Sequence, residues 1–423
     1  MKTTLRGIAN KASLDQTYRF RNLFGLLTIG FLMGCWRFIN PKAAAGVDRL
    51  SAREYGMNLL ENLTNLVEKV KAESYRSKWV LRKYIPKLNG KMRPLGIPAI
   101  ADKILQMAVT KILEAIYEAE FLPCSYGYRP RRGALDAVRD VSRTLQNGEY
   151  HFLVEADIQG FFDHIDHEKL LAILAERIDD RPFLGLIQRW LKTGILETDG
   201  RVIVPEEGSP QGGIVSPILA NIYLHRVLDQ WFEEEVKSHC RGAAYFCRYA
   251  DDFVAAFQYE TDAQRFYEVL GKRLGKYGLT LAAEKTRLLR FSRNDRRNSE
   301  AFEFLGFELY WGLSRWRKPC VKKRTATRKY RGALANLKVW MRENSHRPKR
   351  EFFAQLAAKL RGYYQYYGVR GNYERISDFF YQAKRMLYQI LNRRSQRKSY
   401  NWKGFAALLD YFKLPQPRIC HDF

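Results

Sequence analysis

The sequence predicts an α+β fold that has an antiparallel sheet at its centre and an all-helical domain at its C-terminal end. Two changes in pattern along the 423 residues support this prediction. Apolar residues have helical spacing up to residue 80, and from 81 to 312 short strand-like runs alternate with amphipathic helices. A basic stretch at 313–327 then precedes three helical patterns, which cover 328–344, 349–367 and 374–396.

The charge of the chain indicates the kind of partner it binds. There are 72 Lys and Arg residues against 45 Asp and Glu residues, a formal net charge of +27 at pH 7. Such an excess favours a polyanionic partner, with nucleic acid as the first choice and an acidic membrane surface as the second. Because 46% of the residues are apolar, the chain is predicted to be globular rather than a disordered basic tail.

The stretch LFGLLTIGFLMGCW (23–36) is the segment that most resembles a membrane anchor. It is shorter than the roughly 20 residues that a span requires, and it contains three glycines. We therefore predict a buried helix here. The six cysteines are scattered without a C-x-x-C pair, which is typical of reduced thiols in the cytoplasm.

Three carboxylates stand where apolar runs end. HFLVEADIQGFFDHID (151–166) begins as a strand covered on both faces, and Asp157 ends that strand. GAAYFCRYADDFVAAF (242–257) predicts two strands joined by a tight turn that carries Asp251 and Asp252. The pair alone could be a polar hairpin tip. If the two segments neighbour each other in a sheet, the carboxylates converge and require cations, and oxygen ligands of this kind suit Mg²⁺.

Two further stretches could bind a nucleotide. YIPKLNGKMRPLGIP (84–98) predicts a hairpin whose arms carry Lys87 and Arg93, which could clamp a triphosphate or simply be solvated. GSPQGGIVSPILANIYL (208–224) predicts a glycine-rich loop before a helix that starts at Ser216, the expected N-cap. The loop glycines would let the backbone approach a base or sugar closely.

In this order the motifs resemble the seven conserved blocks of reverse transcriptases, and in particular the reverse transcriptase/maturases encoded within bacterial group II introns. The resemblance runs from GVD (46–48) through SYGYRPRRGALDAV (125–138) and RYADDF (248–253) to LRGYYQYYG (360–368). It implies a right-hand polymerase. Its parts would be an N-terminal extension of the fingers (1–80), fingers and palm (81–312), a basic linker (313–327) and a helical thumb or maturase domain, domain X (328–423).

The resemblance also implies roles for individual residues. Asp157, Asp251 and Asp252, with the carbonyl of Ile158, would bind two Mg²⁺ ions, for which Mn²⁺ could substitute. The nucleotide would be bound by Lys87 and Arg93 at its triphosphate, by Gln211 along its length and by Lys285 near its pyrophosphate, where Lys285 is a candidate general acid. FLGF (304–307) resembles the primer grip. Taken alone, Lys285 could equally be a surface lysine.

Phe162 is the position expected to select the sugar. It lies five residues after Asp157, where reverse transcriptases have a bulky aromatic residue below the sugar. A ring there would collide with a 2′-hydroxyl group, so the resemblance implies a DNA product. The alternative interpretation is that Phe161 and Phe162 both belong to the core.

The implied function is that of an RNA-directed DNA polymerase and intron maturase in the bacterial cytoplasm, associated with the nucleoid when it acts on DNA. Its partners would be group II intron RNA, an RNA template with a DNA primer, target DNA and dNTPs, without a membrane. The compact form that lacks an endonuclease domain is expected. Its one close histidine pair flanks Asp166, for which capping the next helix is preferred to metal binding. A domesticated relative acting in defence or repair, a maturase with a vestigial polymerase and a non-enzymatic RNA-binding module remain alternatives.

Overall fold

The computed structural model of the chain describes residues 4–86, 92–209, 211–393 and 399–423. The α-helices are α1 (Leu5–Leu14), α2 (Ile29–Trp36), α3 (Ala52–Met57), α4 (Leu59–Lys71), α5 (Ile100–Tyr117), α6 (Ala134–Asn147), α7 (His167–Arg177), α8 (Arg181–Leu191), α9 (Ser216–Leu224), α10 (Lys237–His239), α11 (Glu260–Gly275), α12 (Thr327–Asn344), α13 (Lys349–Tyr367), α14 (Tyr373–Asn392) and α15 (Trp402–Tyr411). Two π-helical turns, His225–Asp229 and Phe232–Val236, connect α9 to α10.

The strands within the described residues form three sheets. They are β1 (Val80–Pro86), β2 (Met92–Ile97), β3 (Phe152–Asp157), β4 (Ile195–Leu196), β5 (Val202–Ile203), β6 (Ala244–Tyr249), β7 (Asp252–Phe257), β8 (Arg287–Arg290), β9 (Phe302–Phe304), β10 (Phe307–Leu313) and β11 (Pro319–Thr325). The strand orders are β2-β1-β4-β5, β6-β7-β3-β8 and β11-β10-β9. The predicted α+β class is confirmed.

The predicted basic hairpin is present as β1 and β2. The two strands are antiparallel, with Ile85 opposite Arg93. The predicted turn between them, including Lys87, lies outside the described residues. On its other side β1 pairs in parallel with β4, through Val80 and Ile195.

Two compact units are defined by the contacts within the chain. The first comprises the residues up to Gly133 together with Ala156–Ala255 and Glu260–Arg287. Helix α5 is its most buried long helix, because apolar residues surround its axis on nearly all sides. The second unit comprises Ala134–Glu155, Ala256–Tyr259 and Leu288–Phe423.

The core of the C-terminal helices is aromatic. Tyr363 stacks on Phe379 with ring centroids 3.7 Å apart, and Phe353 stacks on Phe412 at 4.2 Å. These contacts join helices whose own hydrophobic faces were visible in the sequence. The three helical patterns at the C-terminal end are therefore observed as α12, α13 and α14, the last of which ends at Asn392.

The segment predicted as a basic linker contains a strand. Strand β11 pairs with β10 along its whole length, from Pro319 opposite Leu313 to Thr325 opposite Phe307. One of its inward-facing residues is Lys323, which is only 7% exposed. Apolar and polar residues therefore do not alternate along this strand. Burial, together with the charges of Arg143 and Arg370, lowers the pKa of Lys323 to about 8.

The apolar stretch 23–36 is a short 3₁₀ turn followed by α2. Thr28 caps the helix by accepting a hydrogen bond from the Phe31 N–H, and Leu32 and Cys35 are buried. Across the described residues, no helix is both long and apolar enough to cross a membrane.

Candidate active site

The turn between β6 and β7 carries the adjacent acids, as the sequence predicts. The chain reverses over two residues, Ala250 (φ +56°) and Asp251, and Asp252 begins β7. A residue with a Cβ atom pays roughly 1–2 kcal/mol for this left-handed conformation. The surrounding structure must therefore hold Ala250 in place.

Asp157 lies at the end of β3, next to the turn. The His151 N–H donates to the Phe257 carbonyl oxygen at 2.9 Å, so the start of β3 lies beside the end of β7. Both strands have six residues and β3 neighbours β7 in the sheet, which brings the end of β3 to the start of β7. The predicted meeting of the two acidic segments in one sheet is confirmed.

The electrostatics of Asp251 reflect this proximity. Burial raises the pKa of the Asp251 carboxyl, and the charge of Asp157 raises it further. The positive charges of Arg93 and Lys285 act in the opposite direction. The negative charge of Asp157 thus disfavours the ionised form of Asp251, and a bound cation would favour that form.

The backbone after Asp157 is fixed by a neighbouring loop. The Ala282 N–H donates to the Asp157 carbonyl oxygen and the Gln159 N–H to the Thr280 carbonyl oxygen, each at 2.9 Å. Ile158 forms a β-bridge with Leu281 between these bonds. The loop continues into a 3₁₀ turn that carries Lys285.

Lys285 bonds directly to one of the predicted metal ligands. Its ammonium group donates to Asp157 Oδ2, and this bond raises the pKa of Lys285. The described part of the chain contains no group of three or more His, Cys, Asp or Glu side chains arranged around an ion position. Oxygen donors from Asp157 and Asp251 nevertheless suit a hard divalent ion, and an ammonium group already partly neutralises them.

Phe161 and Phe162 differ in their surroundings, which settles the alternative that the sequence left open. Phe161 is 2% exposed, whereas Phe162 is only partly buried. The loop that follows β5 packs on the backbone of Phe162, whose carbonyl oxygen accepts from the Ser209 N–H at 2.7 Å. Gly208 (φ +88°) allows this approach, because an added Cβ atom would lie 2.9 Å from the same oxygen. Phe161 is core and Phe162 lines the surface beside it.

Gln211 is held against the β1–β2 hairpin. Its carbonyl oxygen accepts from the Gly96 N–H at 2.6 Å. Gly212 has φ +114°, and an added Cβ atom would lie 2.5 Å from the Gly96 carbonyl oxygen. The close approach that the sequence predicted at Gly212 is therefore an approach to the backbone of Gly96.

The helix after this loop begins at the predicted residue, but its cap differs from the prediction. Helix α9 starts at Ser216 with Val215 in the cap position. The Ser216 hydroxyl instead accepts a hydrogen bond from the Ser209 hydroxyl at 2.8 Å. The start of α9 thus has no side-chain cap, and Ser216 is joined instead to a buried residue seven positions earlier in the chain.

Tyr128 is a neighbour of the site that the sequence argument did not single out. It has φ +57° and is half exposed. Burial raises the pKa of its hydroxyl, the charge of Asp251 raises it further and the charge of Arg93 lowers it. A left-handed backbone conformation is uncommon at tyrosine, so the spacing of residues in the sequence could not predict it.

Asp166 caps α7, as the sequence predicts. Its carboxylate accepts from the Lys169 N–H at 3.0 Å. We expect Asp166→Ala to lower the free energy of unfolding by about 1 kcal/mol, measured by urea denaturation, because the cap bond is lost. The Mg²⁺ concentration that half-saturates primer extension should stay unchanged. A raised Mg²⁺ requirement would instead give Asp166 a role in ion binding.

The strand-end acids, the adjoining lysine and the basic hairpin form an arrangement whose chemistry suits nucleotidyl transfer of the polymerase type. The profile of the family described as reverse transcriptase (RNA-dependent DNA polymerase) matches residues 85–309. Since this match covers more than half of the chain, the chain belongs to the reverse transcriptase family.

Relatives specify the type further. The chain is 32% identical to Protein YkfC of Escherichia coli, over 78% of this chain and 94% of that protein. It is 43% identical to the group II intron-encoded protein LtrA of Lactococcus lactis, over 40% of this chain and 28% of LtrA. It is 39% identical to an uncharacterized 91 kDa protein in the cob intron of Schizosaccharomyces pombe, over 42% of this chain and 21% of that protein. The chain thus matches less than a third of either intron protein, and the resemblance to group II intron reverse transcriptases is confirmed.

Proposed function

We propose that the protein copies RNA into DNA from a primer and binds group II intron RNA to assist its splicing and mobility. The observation that carries the proposal is the arrangement of Asp157 and Asp251 on adjoining strand ends with Lys285 beside them. The relationship to LtrA supports the intron as the RNA partner. A role in defence or repair has no observation in its favour here.

Each residue of the site has a proposed part in nucleotide addition. Two Mg²⁺ ions, held by Asp157, Asp251, Asp252 and the Ile158 carbonyl, would activate the primer 3′-hydroxyl group and stabilise the leaving oxygen. Arg93 binds the triphosphate by charge-assisted hydrogen bonds, together with Lys87.

The remaining residues act on the base, the sugar and the leaving group. Gln211 and Phe162 adjoin the same loop and border the incoming nucleotide, with Phe162 below its sugar. Lys285 changes partner from Asp157 to the pyrophosphate and gives it a proton. The direct test is extension of a DNA primer on an RNA template by purified protein with dNTPs and Mg²⁺. Extension is expected, and its absence would refute the polymerase assignment.

A basic stripe on α12, defined as Arg328, Arg331, Lys338 and Arg342, supports the RNA-binding part of the proposal. Their spacing of three, seven and four residues places them on one helix face, and all four are exposed. The stripe extends about 21 Å along the helix. We propose that this stripe of the thumb contacts phosphates of the intron RNA.

Neutralising the basic stripe should flatten the salt dependence of intron RNA binding. Each phosphate contact contributes about −0.7 to −0.9 to the slope of log K against log salt, so replacing all four bases by Gln should reduce the slope by about 3. Splicing should fall more than extension of a short pre-annealed primer. Filter binding over a salt series measures the slope.

The matched control for the stripe removes the same charge from dispersed positions. Lys69, Lys192, Lys237 and Lys276 are exposed residues in four separate segments of the first unit. Replacing these four by Gln should leave the slope near that of the wild type. Equal flattening in both variants would mean that net charge, and not the stripe, sets RNA affinity.

A further inference from the structure

The turn that carries Asp251 is attached to a buried guanidinium group. Arg248, near the end of β6, is fully buried and forms a bidentate ion pair with Asp229, which is also fully buried. Arg248 Nε donates to Asp229 Oδ1 at 2.7 Å and Nη2 donates to Oδ2 at 2.6 Å. His225 Nδ1 lies 3.5 Å from the same Oδ2.

The remaining donors of Arg248 reach three other parts of the first unit. Nη1 donates to the carbonyl oxygen of Ala250 at 3.0 Å and to Asn221 Oδ1 at 3.1 Å. Nη2 also donates to the Ser125 hydroxyl at 2.8 Å. All five N–H donors of the guanidinium are therefore used. One of them holds the left-handed residue that precedes Asp251.

A second segment holds the other side of the turn. The backbone of Arg248 accepts from the Tyr126 N–H at 2.9 Å and donates to the Cys124 carbonyl oxygen at 2.8 Å. At Gly127 an added Cβ atom would overlap the backbone nitrogen of Ala250. The Gly127 carbonyl oxygen accepts from Asn221 Nδ2 at 2.6 Å, so Asn221 links this segment to Arg248.

A buried ion pair often adds little to the free energy of unfolding. Removing two charges from water costs several kcal/mol per ion, and well-packed apolar residues often replace such pairs without loss. What apolar residues cannot provide is a directed hydrogen bond to one chosen carbonyl group. In this network that carbonyl group belongs to Ala250, whose left-handed conformation is unfavourable by itself.

We propose that Arg248, oriented by Asp229 and Asn221, is a positioning residue that fixes the turn at Ala250 and thereby sets the place of the Asp251 carboxylate relative to Asp157. This inference rests on the proposed polymerase function. It concerns residues that touch neither substrate nor metal, and its consequence is a site organised before the ions and the nucleotide arrive.

The first test keeps a positive charge at position 248 but removes the planar guanidinium group and its five N–H donors. Lysine in the Arg248→Lys variant can pair with Asp229 but has a single nitrogen, which cannot also reach Ala250, Asn221 and Ser125. We expect the rate of extension at saturating dNTP to fall about tenfold or more, because small misplacements of reacting groups cost this much. The half-saturating Mg²⁺ concentration should rise at least threefold, and the KM for dNTP should change less than twofold.

The second test allows for a variant that does not fold. In the double variant Arg248→Met with Asp229→Leu, no charge is left buried without a partner, so the variant is expected to fold. Its melting temperature should lie below that of the wild type, because three buried oxygen atoms lose the donor that Arg248 supplied. The loss of rate and the raised Mg²⁺ requirement should persist, because the bond to Ala250 is still absent. A double variant with wild-type rate and Mg²⁺ dependence would overturn the proposal.

A second ion pair of the first unit, formed by a buried arginine and a partly buried glutamate, provides the control. Arg177 donates to Glu120 at 2.5 Å and is 6% exposed, but its other bonds go to Asp15 and Tyr18 near the N-terminus. The double variant Arg177→Met with Glu120→Leu should keep the wild-type Mg²⁺ half-saturation. If both double variants shifted the Mg²⁺ requirement equally, general loosening would explain the result and the positioning role would be wrong. Absence of extension by the wild type would instead refute the proposed function itself.

Discussion

Replacing Asp251 by Asn should lower Mg²⁺-dependent extension of a DNA primer on an RNA template by about 10³-fold or more. The amide keeps the shape of the side chain but supplies no negative charge, and Asp251 is one of two carboxylates placed together at the strand ends. Asp157→Asn should have an effect of the same order. Single-nucleotide extension under saturating dNTP measures the loss.

The same variant should not lose its fold. Burial and the charge of Asp157 raise the pKa of Asp251 above its ordinary value of 3.8. Stability from such a carboxyl is present below its unfolded pKa and is lost as the pH rises through the raised pKa. At pH 7 without divalent ions, the Asp251→Asn variant should therefore melt at or above the wild-type temperature. A lower melting temperature would attribute the lost activity to unfolding.

Two controls complete this test. Intron RNA binding by the two Asn variants should stay close to that of the wild type, since the proposed RNA contacts are the exposed bases of α12 and neither acid is among them. Glu268→Gln removes one exposed carboxylate from α11 and should extend normally. Normal extension by Asp157→Asn or Asp251→Asn would refute the assignment of these acids.

Phe162→Val should raise the incorporation of ribonucleotides relative to deoxyribonucleotides at least tenfold. The change removes a partly exposed ring from beside the loop of Ser209 and Gln211, where the sugar is proposed to lie. Tenfold corresponds to about 1.4 kcal/mol of discrimination. Competition between a dNTP and the matching rNTP on one template measures the ratio.

The neighbouring ring is the matched control for sugar selection. Phe161 contacts Phe162 edge to face at 5.3 Å between ring centroids, but it is buried. Phe161→Leu should lower the free energy of unfolding by about 1 kcal/mol or more without changing the sugar ratio. An unchanged ratio in Phe162→Val, or an equal change in both variants, would return Phe162 to a purely structural role.

The sequence by itself determined those features that depend on neighbouring residues. Alternation and turn residues placed the β1–β2 hairpin, and the helical periods placed α12, α13 and α14. The acids at 157, 251 and 252 were found because a charge that interrupts an apolar strand is a local anomaly. The cap at Asp166 was also local, since its partner is three residues away.

Only the tertiary structure decided features whose partners are distant in the chain. Two adjacent phenylalanines look alike in sequence, and only the folded structure buries Phe161 and leaves Phe162 partly exposed beside a loop some 50 residues later. Strand β11 was not predicted, because its inward side carries Lys323, whose ammonium group donates to the carbonyl oxygen of Phe423, 100 residues later. Arg248 looked like one base among many, yet its partners include Ser125, 123 residues away. Local periodicity reports which face of an element is buried, whereas the position of each polar group depends on contacts that exist only after the chain has folded.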